Sequence, residues 1–182
     1  MKLTRSNTTA LVIDLQEKLV PTMSDDSRLV ERSQLLLAGL AIYDVPVVVT
    51  RQYPKGLGDT IPEIRDVSEN ATTFDKTTFS CLDAKDIRDW FVADSRRNVV
   101  VAGIETHICV LQTALDLLEI GKRVYLAADC VSSRNSFDQK FAFERLLNAG
   151  VIPTTAEAIL FEIANRAGSP EFKALSKLVT KR

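Results

Sequence analysis

Short β-branched runs alternate with longer stretches of helical spacing along the chain, and this alternation admits few folds. The runs are TTALVI (8–13), PVVVT (46–50), ATTFD (71–75), NVVVA (98–102), RVYLA (123–127) and VIPT (151–154). Between the first two, residues 26–43 carry Leu29, Val30, Leu36, Leu37 and Leu40 at helical intervals. Further helices are expected over 84–92, 106–120, 136–148, 156–164 and 170–179, with Gly121 and Gly150 closing two of them. NVVVA is continuously apolar, as a strand covered on both faces must be. The expected fold is therefore α/β, a three-layer α-β-α sandwich around a six-stranded, mostly parallel sheet. At 182 residues, with no repeat and no Pro/Gly/Ser-rich linker, residues 1–182 are read as one domain. Residues 51–70 form a long loop, and long loops in compact domains are often functional.

Charge excludes some functions. There are 23 basic and 24 acidic residues, a net charge of −1, so no general electrostatic binding of nucleic acid or anionic membrane is expected. The apolar run 10–13 is stopped at once by Asp14, which is neither a leader nor a membrane span. Cys81, Cys109 and Cys130 do not pair evenly and lack metal-ligand spacing, which suits a cytoplasmic protein. His107 is the single histidine, so a histidine-rich metal centre is impossible. No metal and no cofactor is expected.

In doubly wound sheets, ligands bind at the carboxyl ends of the strands. Three reactive side chains fall there. Asp14 follows the first strand, Lys76 lies just past the third, and Cys109 sits in the first turn of the helix after NVVVA. A helix start favours a thiolate through its dipole and free N–H groups. A carboxylate can take the thiol proton, and an ammonium can hold the charges in place. Each residue also has an ordinary reading: a small buried hydrophobe, a turn residue, a solvated charge. Their joint appearance at three strand ends favours a nucleophile, a base and an orienting cation. His107, two residues before Cys109, points away from it on a helix. Gln16, two residues after Asp14, reads as a substrate contact or an exposed loop residue. Phe79 and Tyr53 are candidate pocket walls, with Phe74 and Trp90 read as core. Cys81 and Cys130 read mainly as packing.

VIDLQ (12–16), FDKTTFS (74–80) and above all AGIETHICVLQTALDLLEIGKRVYLAADCVSSR (102–134) resemble the isochorismatase-like cysteine hydrolases. The resemblance runs from Thr8 to Ala164. It implies a Rossmann-like strand order and a catalytic triad of Asp14, Lys76 and Cys109. It also implies a cis peptide between Ile104 and Glu105, an oxyanion hole from the N–H groups of Glu105 and Cys109, and pocket-rim positions for Glu105 and Thr106. A small-molecule substrate and a homo-oligomer are implied as well. The family's nicotinamidases hold a metal with an aspartate and histidines, whereas the loop here is RQYPKGLGDTIPE (51–63), without histidine. The function expected is cleavage of a small amide-type C–N bond through a cysteine thioester. The alternatives are vinyl ether hydrolysis and a non-catalytic member of the fold. A dinucleotide-binding module is set aside because IDLQEKL (13–19) has no glycine.

Overall fold

A computed structural model describes residues 2–180. Six parallel strands form one sheet in the order β3-β2-β1-β4-β5-β6. They are β1 (Thr8–Ile13), β2 (Val47–Gln52), β3 (Thr72–Lys76), β4 (Asn98–Ile104), β5 (Arg123–Ser132) and β6 (Ile152–Thr154). The helices are α1 (Asp26–Ile42), the short α2 (Pro54–Leu57) and α3 (Pro62–Arg65), α4 (Lys85–Ala93), α5 (Leu111–Glu119), α6 (Ser136–Asn148), α7 (Ala156–Ala164) and α8 (Pro170–Thr180). The three-layer sandwich is the architecture expected.

The period of two along each strand decides which helices cover which face. Leu11 and Ile13 of β1 and Val99 and Val101 of β4 pack against Ile87 and Phe91 of α4, Ala114 and Leu117 of α5, and Leu146 of α6. Their alternates, Ala10, Val100 and Ala102, pack against Leu36 and Leu40 of α1, Ile159 and Leu160 of α7, and Leu175 of α8. β1 and β4 are buried at every position, so they read as unbroken apolar runs. β3 is an edge strand, mostly exposed until Lys76, and its sequence is correspondingly polar.

Three elements differ from expectation. The loop 51–70 contains α2 and α3, each started by a proline at its first turn. β5 runs on to Ser132: Leu126 pairs with Val101 of β4 and Val131 with Gly103, so AADC (127–130) bulges out of the β4 ladder where a loop was expected. Cys130 thus lies within the strand, fully buried. The helix expected over 106–120 is two pieces, a π-helical turn at Thr106–Val110 and then α5. Side-chain spacing hardly separates the two helix types.

Gly103 closes the central pair. Its φ is +116°, and a Cβ there would lie 2.1 Å from the Ile13 carbonyl oxygen, a backbone atom that cannot turn aside. Gly103→Ala is therefore expected to cost about 4 kcal/mol or more, read as a large fall in thermal midpoint. An unchanged midpoint would contradict the close approach of β1 and β4.

Candidate active site

The carboxyl ends of β1, β2, β3 and β4 bring one polar cluster together beneath the surface. Asp14 leaves β1 with φ +55°, a left-handed conformation uncommon outside glycine. Such strain concentrates at functional sites. Its side chain is nearly enclosed and accepts two short hydrogen bonds. Thr50 Oγ1 donates to Oδ1 at 2.8 Å, and Lys76 Nζ donates to Oδ2 at 2.7 Å. The Cys109 thiol lies beside the same carboxylate, which pushes its titration up.

Lys76 stands on the edge strand, two strands away from β1. Two strand spacings are about 9–10 Å, a gap that the long lysine stem spans across β2. The ion pair it makes with Asp14 is fully enclosed, with side-chain exposures of 0% and 1%. Burial opposes the ammonium charge, but Asp14 and the neighbouring thiols outweigh it, so Lys76 titrates above the ordinary lysine value. Nζ also donates to Gln52 Oε1 at 2.6 Å and to the carbonyls of Thr78 and Phe79 at 3.2 and 3.4 Å.

Cys109 lies in the π-helical turn and is 7% exposed. The Glu105 carbonyl accepts the N–H groups of Ile108 and Val110, both at 3.1 Å, and passes over the N–H of Cys109 between them. The Ile104–Glu105 peptide is cis. The Glu105 carboxylate turns to Arg134, accepting from its Nε and its backbone N–H at 3.0 Å. Thr106 is buried and donates to the Ser132 carbonyl, while His107 Nδ1 pairs with Ser133 Oγ at 2.9 Å.

The state of the thiol differs from the sequence expectation. Burial pushes Cys109 up to about 12; Lys76 pulls it down and Asp14 pushes it up. Burial thus favours the neutral thiol over the thiolate that a helix start would favour, with a carboxylate beside it that can take its proton. Iodoacetamide alkylation of Cys109, followed by peptide mapping, should therefore keep accelerating through pH 10. A free thiol, with a pKa of about 8.5, would already level off. A plateau by pH 8 would contradict this.

Other expected site residues fall elsewhere. Gln16 is fully buried, and its amide is committed to backbone. It donates to the carbonyls of Gln52 and Gly58 at 2.9 and 2.8 Å and accepts the Gln52 N–H at 2.6 Å. It is a clamp on the loop after β2, with no group left for substrate. Tyr53 is exposed and lines a recess of about 470 Å³ with Thr77, Thr78 and Ala84, beside Lys76 but lined by neither Asp14 nor Cys109. Phe79 is exposed and outside that recess. Phe74 packs against the core, and Trp90 sits edge-on to Phe91.

Cys81 is fully enclosed at the cluster, its thiol 3.8 Å from Thr50 Oγ1, and burial raises it to about 11. Thr50 and Gln52 were missed by the sequence reading. Their signal is a polar pair two residues apart at the end of an apolar strand, which places both on one face. Among the described residues, no group of three or more His, Cys, Asp or Glu is arranged to hold a metal ion, and no helix is long and apolar enough to cross a membrane.

Comparison with known proteins assigns the family. The isochorismatase domain profile matches residues 8–158. Isochorismatase domain-containing protein 1 of Salmo salar is 38% identical over 166 residues, 91% of this chain and 58% of that protein. The chain thus spans less than two thirds of that relative and of its Danio rerio counterpart. The secreted isochorismatase effector Isc1 of Phytophthora sojae is 38% identical over 173 residues, covering 92% of this chain and 82% of the effector. A solved structure described as the MAR1 ribonuclease of Caenorhabditis elegans superposes with a TM-score of 0.92 at 38% identity, over 98% of this chain and 92% of the other. The profile match and these identities lead to one assignment: the chain belongs to the isochorismatase-like hydrolase family.

Proposed function

We propose that the protein hydrolyses a small amide-type C–N bond through a covalent thioester on Cys109. The observation that carries this reading is the Asp14 carboxylate, which accepts from the buried Lys76 ammonium while standing beside the Cys109 thiol. Asp14 takes the thiol proton as the sulfur attacks the carbonyl carbon, so no free thiolate accumulates. Lys76 balances the charge left in the enclosed site. The oxyanion is held by the N–H groups of Glu105 and Cys109, the latter left over by the Glu105 carbonyl. The tetrahedral adduct collapses, the C–N bond breaks, and the leaving nitrogen takes the proton from Asp14. Asp14 then removes a proton from water, which cleaves the thioester and restores the thiol. The donor set requires no metal or cofactor for these steps.

The ribonuclease description of the Caenorhabditis elegans relative favours a second reading. Three features weigh against it here: a net charge of −1, a single histidine engaged by Ser133, and enclosure of Asp14, Lys76 and Cys109 to 7% exposure or less. A small molecule reaches such groups more readily than a polymer does. Incubation of wild type and Cys109→Ala with a panel of small amides, isochorismate and RNA separates the readings. Amide turnover that vanishes in the variant supports the proposal. Turnover of isochorismate or RNA that survives in it would overturn the proposal.

We also infer a homo-oligomer in the cytoplasm. The half-exposed Phe161 of α7, edge-on to Phe172 of α8, supports self-association. Three free, buried cysteines support a reducing compartment.

A further inference from the structure

We infer that Gln52 is a positioning residue: it holds the Lys76 ammonium against Asp14 and Cys109, and Gln16 holds Gln52 in place. This rests on the proposed role of the cluster and adds two residues to it. Gln52 and Lys76 are register partners on β2 and β3, so the glutamine lies beside the lysine stem on its way to Asp14.

An ammonium has three protons and no acceptor of its own. Here the two shortest contacts are Gln52 Oε1 at 2.6 Å and Asp14 Oδ2 at 2.7 Å. The Thr78 and Phe79 carbonyls, at 3.2 and 3.4 Å, share the third proton. Without Gln52, one proton in an enclosed site would lack a partner, and the flexible stem would be free to rotate.

The orientation of the Gln52 amide is itself determined. Its Nε2 donates to the Thr77 carbonyl at 3.0 Å, which leaves Oε1 toward Lys76. A flipped amide would set donor against donor and acceptor against acceptor. The backbone of Gln52 is gripped on both sides by the Gln16 amide, which gives and takes a hydrogen bond as a neighbouring strand would. Gln16 also binds the Gly58 carbonyl, so the same clamp fixes the loop after β2. A misplaced ammonium would no longer stabilise the Cys109 thiolate that forms during attack.

Gln52 is only half-buried, so substitution there is compatible with folding. The test uses the lysine Nζ spectrum of ¹⁵N-labelled protein at neutral pH, together with Cys109 alkylation by iodoacetamide. In wild type, a buried, fully accepted ammonium gives a water-protected signal, assigned to Lys76 by its loss in Lys76→Arg. Gln52→Met keeps the length and removes the oxygen. It is expected to lose the protected signal and to slow alkylation about tenfold. Gln52→Glu returns an oxygen to the same place and is expected to restore the signal. If Gln52→Met keeps the signal, or loses it with alkylation unchanged, the assignment is overturned. Neither readout requires turnover. Amide hydrolysis by Cys109→Ala would instead overturn the nucleophile itself.

Discussion

Cys109→Ala should lower turnover of a small amide by about a thousandfold or more while leaving the thermal midpoint close to wild type. The change removes one sulfur from a well-packed turn and leaves Asp14 with its two strongest partners, Thr50 and Lys76. A large kinetic loss with a small stability loss is the signature of a group that reacts. Asp14→Asn should bring a comparable loss by a different route. The amide keeps the shape of the carboxylate but cannot accept the thiol proton. With the thiol raised to about 12, no appreciable thiolate exists at neutral pH to react without that base. Steady-state kinetics on the same substrate measure both effects. Near-wild-type turnover in Asp14→Asn would mean that the proton leaves by another path.

Lys76→Met is expected to lower stability as well as turnover, and the stability loss is the larger effect to measure. Breaking a buried pair leaves an uncompensated charge, at a cost of about 3–5 kcal/mol. For a chain of this size, that lowers the thermal midpoint by about 6–20 °C. The enclosure of both partners is what makes the effect large; a solvated pair would contribute little. Combining Lys76→Met with Asp14→Asn should recover much of the loss, because the double variant buries no net charge. Calorimetry of the two single variants and the double variant measures the coupling. A midpoint within about 2 °C of wild type in Lys76→Met alone would show that the pair is not energetically buried.

The layer architecture is legible in the sequence because burial on both faces writes itself as unbroken apolar runs. TTALVI and NVVVA could be little else than central strands. The edge strand around 71–75 is harder to read, since one side meets solvent and its residues follow. The placement of Lys76 was beyond local patterning. Its position in the chain says nothing about whether it reaches across β2. The same limit hid Thr50 and Gln52, whose roles depend on a partner strand distant in sequence. It also made Gln16 look like a substrate contact, although the fold spends its amide on backbone.

The desolvation of Cys109 was illegible for a different reason. A helix start was expected to favour the thiolate, but desolvation by the surrounding core dominates and belongs to no single segment. That gives more weight to Asp14, the base already expected from its strand-end position, than to the helix start.

The proposed mechanism requires a covalent bond between Cys109 and the acyl part of the substrate. Intact-mass spectrometry of the enzyme quenched during turnover of a hydrolysable amide tests it most directly. A mass increase equal to the acyl group is expected, mapped to the peptide containing Cys109 and absent from Cys109→Ala. Sustained turnover with no such increase, equally fast in Cys109→Ala, would contradict it.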